Sequence, residues 1–437
     1  SHDTYLLSRA HGVKLGLNPD DIAESPNGFL FVKQAKHQGI LPMILTDLLS
    51  ARKRAKAQMK SAKTEMERSV FNGKQLALKI CCNSVYGFTG AKTSALPCVS
   101  IAASVTSYGS EMIYTTKSFM ELQFGAQVVY GDTDSVFVKF PGITTVAEAI
   151  AKGKEAEAAV HDPVTGIFDG KKIVLEYEKT LCPFFIGDKK KRYFSRLYEF
   201  DPKKFKVSVS GFQATRRDNA KLCAETQRAF IDLLLANDVT GGLRFVVQTI
   251  RQLFANKINI DKLTLSKKLS KLSYKTPQIH VQLAKRIAAR SPALAPKLGE
   301  RIPYVVIRKP QGTKAFDCSE SPEYVQEYNV PLDLEYYYQK QIYEPLKPSL
   351  DDLIGLPETR LFFQRARQGQ LDKYRITSAD DLAWVDAIAL KPTNKTTAKR
   401  SLLLTEIGIA TSSVPREKKK RTVTSQADQA AAAASNC

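Results

Sequence analysis

The sequence of 437 residues carries 43% hydrophobic and 25% charged side chains, too apolar for wholesale disorder and long enough for roughly three cores. Its formal net charge of +21 favours a polyanionic partner, most simply nucleic acid, over a protein that is merely soluble. No apolar run approaches bilayer length, and the seven cysteines form no Cys-x-x-Cys pair, so a membrane span and a structural zinc or iron–sulfur site are set aside. With no signal-peptide pattern and an odd cysteine count, the thiols fit a reducing, cytosolic or nuclear compartment. Ser1 in place of an initiator Met hints at a piece of a longer polypeptide.

In chain order, a turn at Ser25-Pro26-Asn27-Gly28 leads into a strand, Phe29-Leu30-Phe31-Val32. From residue 41 to about 69 the pattern is helical, with Ile44, Leu45, Leu48 and Leu49 as an apolar stripe. Asn72-Gly73 is expected to break it before a second helix over 74–86, stopped by Gly87, so that the two form an antiparallel helical hairpin. A third helix is expected over 97–122. Next come two strand-like runs, Ala126-Gln127-Val128-Val129-Tyr130 and Ser135-Val136-Phe137-Val138-Lys139-Phe140, joined by the acidic turn Gly131-Asp132-Thr133-Asp134. A further strand over 172–177 leads to the basic run Asp188-Lys189-Lys190-Lys191-Arg192-Tyr193-Phe194. Residues 216–346 read as mainly helical and strongly basic, with Lys267, Lys268, Lys271, Lys275, Lys285 and Arg286 close together. Beyond Pro348 the pattern weakens, and the basic stretch Lys418-Lys419-Lys420-Arg421 with its following Ala run reads as a disordered tail.

Three groups carry chemistry. At the hairpin tip, two carboxylates about 5 Å apart repel by about 3 kcal/mol at an effective dielectric near 20. Divalent cations relieve that repulsion, and hard oxygen donors suit Mg²⁺, so Asp132 and Asp134 are candidate metal ligands and catalytic residues; a plain Asp-Gly turn is the alternative. On the helical hairpin, Arg52 and Lys56 share one face, and Lys79, Asn83 and Tyr86 fall at i, i+4 and i+7. A guanidinium fork and ammonium groups so placed could grip a triphosphate. Lys79 stands among Leu76, Ile80, Cys81 and Cys82, where a lone cation would need an anion to meet. Finally, Lys190, Lys191, Arg192 and Tyr193 combine cations with an aromatic ring, a mix suited to nucleic-acid backbone, unless the run is simply an exposed basic turn.

These segments resemble motifs of one known family. Tyr130-Gly131-Asp132-Thr133-Asp134-Ser135 is similar to motif C of family B DNA polymerases, and Lys79-Ile80-Cys81-Cys82-Asn83-Ser84-Val85-Tyr86-Gly87 resembles motif B. Ser50-Ala51-Arg52-Lys53-Arg54-Ala55-Lys56 resembles the first fingers helix, and Lys190-Lys191-Arg192-Tyr193 the primer-gripping motif. Gly211 onward to Arg216-Arg217-Asp218 resembles the entry to the thumb. Ile302-Pro303-Tyr304-Val305-Val306-Ile307 and Tyr336-Tyr337-Tyr338 look like thumb segments of the delta type, cellular or of large DNA viruses.

The resemblance implies an α+β fold of right-hand polymerase type. A partial palm would take residues 1–38, helical-hairpin fingers 39–90, the rest of the palm 91–213, the thumb 214–347 and a divergent C-terminal region with a basic tail 348–437. It implies template-directed DNA synthesis with Mg²⁺ as cofactor. Asp134 would ligate metal, Asp132 would support the site beside the primer end, and Arg52, Lys56, Lys79, Asn83 and Tyr86 would bind the incoming nucleotide. Lys190, Lys191, Arg192, Tyr193, Arg216 and Arg217 would bind primer–template DNA. Expected partners are primer–template DNA, dNTPs and a sliding clamp with accessory subunits, in the nucleus or at a viral replication site. The family's motif A, with its metal-bridging aspartate, is expected upstream of Ser1, so residues 1–437 alone are expected to synthesise little DNA. A non-enzymatic DNA-binding relative would keep the basic thumb but need no acidic tip, and a nucleotide cyclase would have no use for the Lys-Lys-Arg-Tyr run.

Overall fold

The computed structural model describes residues 2–168, 173–371, 382–389 and 408–410. It falls into two compact units, Ser1–Val138 with Ala158–Leu175, and Lys139–Glu157 with Glu176–Ala410. Both mix helix and sheet.

The first unit opens with a small antiparallel sheet of β1 (Tyr5–Leu6), β2 (Ile22–Glu24) and β3 (Leu30–Val32), with β3 central. Three long helices follow, α1 (Ile40–Ser61), α2 (Glu65–Gly90) and α3 (Val99–Phe124). The first two pack along their lengths as an antiparallel hairpin, and α3 lies against α2. The break between α1 and α2 is at 62–64, not at Asn72-Gly73, which sits inside α2. Thr64 sets it, because its hydroxyl accepts from the Glu67 amide at 3.1 Å while the Glu67 carboxylate accepts from the Thr64 amide at 3.3 Å. That capping box satisfies two amides that a helix start leaves bare. A mid-helix glycine costs only about 1 kcal/mol, too little to end a 26-residue helix. For the same reason Gly87 does not stop α2.

Gly125, at φ +57°, ends α3, and the chain turns into the hairpin of β4 (Gln127–Asp132) and β5 (Ser135–Lys139). Its inner strand is β5, with Val136, Phe137 and Val138 at most 4% exposed. Val129 and Tyr130 on β4 are only half-buried, so the anchoring comes chiefly from the second strand.

In the second unit, β6 (Lys179–Ile186), β7 (Tyr193–Tyr198) and β8 (Lys206–Ser210) form an antiparallel meander, with Phe185 opposite Phe194 and Phe194 opposite Val209. The strand expected over 172–177 is absent from the described residues of that span; it begins instead at Lys179. Pro183 and a register shift between Leu181 and Phe184 interrupt the pattern that would have marked it. The region expected to be mainly helical is mixed. Helices α4 (Lys221–Leu235), α5 (Val239–Phe254) and α6 (Ile279–Arg290) are interleaved with a sheet of β9 (Leu265–Lys268), β10 (Arg301–Val306) and β11 (Ser319–Glu320).

Order does not fade at Pro348. Pro348 lies inside α7 (Glu344–Ile354), followed by α8 (Leu356–Leu371), whose Phe362 and Phe363 are at most 2% exposed. One hydrophobic core runs from Phe185 and Phe194 on the sheet through Phe230, Ile250 and Tyr337 to Phe362 and Val385. The basic run at 418–421 lies outside the described residues. Among the described residues, no helix is long and apolar enough to cross a membrane.

Candidate active site and nucleic-acid interface

The acidic turn is held by its own backbone. Asp134 N–H donates to Asp132 C=O at 2.6 Å, and Thr133 takes φ +57°, a left-handed conformation that a β-branched residue adopts at a cost of about 1–2 kcal/mol. Two hydroxyls brace the same residue, Thr133 donating to the Asp132 carboxylate at 3.1 Å and Ser135 to its carbonyl at 3.4 Å. Beneath the tip, Tyr130 meets Phe137 edge-on with ring centroids 5.1 Å apart. Asp132 is half-buried and Asp134 exposed, so two hard oxygen donors stand on a fixed support facing solvent. Among the described residues no cluster of three potential ligands occurs. Two carboxylates nevertheless suit Mg²⁺, which takes one or two from protein and completes its shell with water and substrate phosphates.

On the helical hairpin, α1 places Arg52 and Lys56 one turn apart, and the unbroken α2 keeps Lys79, Asn83 and Tyr86 on one stripe. Lys56, Lys79 and Asn83 are exposed, as is Tyr86. The apolar neighbours of Lys79 along the helix are open to solvent, since Leu76 and Ile80 are 45% and 66% exposed. Lys79 is therefore one cation on an open face that also carries bare apolar side chains. Arg52 is the informative member: it is half-buried, and its Nε is shielded from solvent without a hydrogen-bond partner among the described residues. Buried guanidinium donors are ordinarily satisfied, so an orphan here points to an acceptor supplied from outside the chain.

In the second unit, the basic run forms the turn between β6 and β7. Gly187 N–H donates to Arg192 C=O at 2.9 Å, closing it, and Lys191 takes φ +64°. Lys190 and Lys191 are exposed; Arg192 and Tyr193 are half-buried. The Arg192 guanidinium lies over the Phe212 ring at 5.0 Å, where burial lowers its pKa and the Asp352 carboxylate opposes that shift. Tyr193 packs against Phe184, ring centroids 5.9 Å apart. Gly211, at φ +72°, admits the turn closely, since a Cβ there would fall 2.3 Å from Lys191 C=O.

Arg216 and Arg217 are exposed just before α4. Arg216 is held by a two-pronged pair with Asp218, at 3.0 and 2.8 Å, which keeps the Asp218 carboxyl below its ordinary range. Arg301 reaches the Arg217 carbonyl at 3.0 Å and also binds Ser266, fastening this segment to β9. Arg301, unremarked in the sequence reading, is thus an organiser of that basic surface; no local pattern marks it, because its partners lie 35 and 84 residues away.

Comparison with solved structures places this architecture beside the family B DNA polymerase from the hyperthermophilic archaeon Pyrobaculum calidifontis. The TM-score is 0.54 at 25% identity, over 80% of this chain and 42% of that one. The model of DNA polymerase family B matches residues 4–353, and the chain belongs to that family.

Within the family it is similar to DNA polymerase delta catalytic subunits. Identity to that of Oryza sativa subsp. japonica is 44% over 345 residues, covering 76% of this chain and 30% of the relative. Identity to the Bos taurus subunit is 41% over 364 residues, covering 80% and 32%. Identity to the Candida albicans subunit is 40% over 367 residues, covering 82% and 34%. The chain therefore spans about a third of the length of these relatives.

Proposed function

We propose that this chain forms the polymerase core of a delta-type replicative enzyme, which extends a primer 3′-hydroxyl with dNTPs along a DNA template. In this reading β4 and β5 belong to the palm, α1 and α2 are the fingers, and residues 214–347 are the thumb. The observation that carries it is the acidic tip, Asp132-Thr133-Asp134, held rigidly within a compact unit that also bears Arg52, Lys56 and Lys79.

Asp134, with Asp132 supporting it, would hold divalent magnesium together with the nucleotide phosphates. A magnesium ion held by these carboxylates would supply acidification of the primer hydroxyl and neutralisation of charge on the leaving pyrophosphate. Arg52 offers its unsatisfied Nε, and Lys56 and Lys79 offer ammonium groups, to the triphosphate. These cations stabilise charge that grows on the phosphates in the transition state. Asn83 and Tyr86 line the nascent base pair from the same helical stripe. Lys190, Lys191, Arg192 and Tyr193 hold the primer end, and Arg216 and Arg217 meet duplex phosphates without reading sequence. A sliding clamp and accessory subunits are the expected protein partners, and the nucleus or a viral replication site the place of action.

Incubating the full-length enzyme with labelled dNTP and a primed template tests the reading. Primer lengthened one nucleotide at a time supports it. A cyclic nucleotide product, or DNA binding with no product at all, would replace it with a cyclase or a non-catalytic DNA-binding protein.

A further inference from the structure

The Lys-Lys-Arg-Tyr turn rests on a residue that lies 160 positions beyond it and belongs to no motif. Asp352, on α7, accepts from the Asp188 amide at 3.4 Å. Gly187 eases the approach, since a Cβ there would sit 3.2 Å from the Asp352 carboxylate and require a small shift. On the turn's far side, the half-buried Arg192 guanidinium lies over Phe212 and attracts the same carboxylate. Lys191, between these two anchors, is kept at φ +64°.

Each of these features is unfavourable when taken singly: a left-handed lysine, a partly buried guanidinium and a carboxylate crowded by other acids. Asp188 and Asp351 both face Asp352, while Arg192 is the cation that offsets them and Lys347 is already engaged by Asp351. Burial and these neighbours push the Asp352 carboxyl up to about 6. Local strain of this kind persists where the surrounding fold over-determines it, and it gathers at sites that must hold one geometry.

We propose that Asp352 is a positioning residue, which fixes the 188–192 turn so that Lys190 and Lys191 are presented to the backbone of primer–template DNA. The proposal rests on the reading of that turn as a DNA grip. Asp352 touches no DNA itself. Its carboxylate accepts from the Asp188 amide at the start of the turn and attracts Arg192 at its end, and so couples α7 to the spacing of the lysines.

Burial holds the Asp352 carboxyl above its ordinary range. Its raised pKa means the folded unit prefers the protonated acid, so its contribution to stability declines as pH rises from the ordinary carboxyl range through about 6. Replacing it with a neutral isostere therefore separates stability from grip.

The test is fluorescence anisotropy of a labelled primer–template duplex with the full chain, at constant salt, on wild type, Asp352→Asn, Asp352→Glu and Lys191→Ala, with Tm measured alongside. The expected result at pH 7.5 is that Asp352→Asn, which keeps an oxygen acceptor for the Asp188 amide but loses the charge opposite Arg192, weakens binding about fivefold, while its Tm is equal to or above wild type. Asp352→Glu recovers part of the affinity, and the ratio of Asp352→Asn to wild-type affinity approaches one near pH 5. Wild-type or tighter binding by Asp352→Asn, with Lys191→Ala weakened, overturns the positioning role alone. A lowered Tm in Asp352→Asn overturns it in favour of a structural one. No loss in Lys191→Ala removes the DNA grip itself, and the proposal with it.

Discussion

In the proposed reading two hairpin turns carry most of the chemistry, and they are built differently. At the acidic tip, Thr133 is bent into a left-handed conformation, and hydrogen bonds among Asp132, Thr133, Asp134 and Ser135 hold it there. At the basic turn, Lys191 has nearly the same φ, and the local Gly187–Arg192 and Lys189–Arg192 backbone bonds are joined by distant neighbours, Gly211, Phe212 and Asp352. The first turn is braced by bonds among neighbouring residues and stands on an apolar strand. The second is a junction of β6, β7, β8 and α7. A site that must gather small, hard ions needs only a short rigid loop, whereas a surface that follows a long polymer is set by tertiary packing.

The contrast can be broken at several points. The largest effect is expected from Gly211→Ala, because the new Cβ would collide with Lys191 C=O at a position whose φ is +72°. About 2–3 kcal/mol of stability should be lost, read as a fall in Tm or in the denaturant midpoint. Primer–template affinity should fall with it; unchanged stability would show that the turn is not clamped by its neighbours. Next, Lys191→Ala should raise the Kd for primer–template about tenfold and flatten its salt dependence, the loss of one phosphate contact. Incorporation at saturating DNA should remain near normal, and a fall in rate there would place Lys191 in the chemistry instead. Arg52→Ala should raise KM for dNTP several-fold, on the scale of about 1–2 kcal/mol for a charge-assisted hydrogen bond, and leave DNA affinity alone. Steady-state kinetics with varied dNTP decides that point. The smallest effect belongs to Thr133→Gly. Relief of the left-handed strain offsets the added backbone entropy of glycine and the lost hydroxyl bond to Asp132, so stability should move by less than about 1 kcal/mol. A large loss would mean the acidic tip depends on more than its own backbone.

The same contrast explains what could be read from the sequence. The acidic hairpin was fully legible because Gly131, the two aspartates and the flanking Val, Phe and Tyr residues lie within about a dozen positions. The helical hairpin was legible in kind but not in place: Asn72-Gly73 drew the break away from Thr64, whose Thr-x-x-Glu signature was there to be found. Strand β6 was hidden by Pro183 and by a register shift, both of which spoil the alternation that marks a strand. Beyond Pro348, Phe362 and Phe363 join a core that also draws on Phe185, Phe194 and Phe230, more than a hundred residues earlier, so no local window shows their full role. Arg301 and Asp352 were invisible for that reason too. Residue types announce a site when its chemistry is local, and fall silent when the fold brings the partners together.

The most direct test of the central claim is single-turnover incorporation by Asp134→Ala in the full-length enzyme, at saturating primer–template and dNTP with Mg²⁺. Synthesis should fall by about three orders of magnitude or more, with primer–template Kd within about twofold of wild type. Near-normal incorporation would mean that the acidic tip does not gather the metal, and the assignment of the site would be wrong.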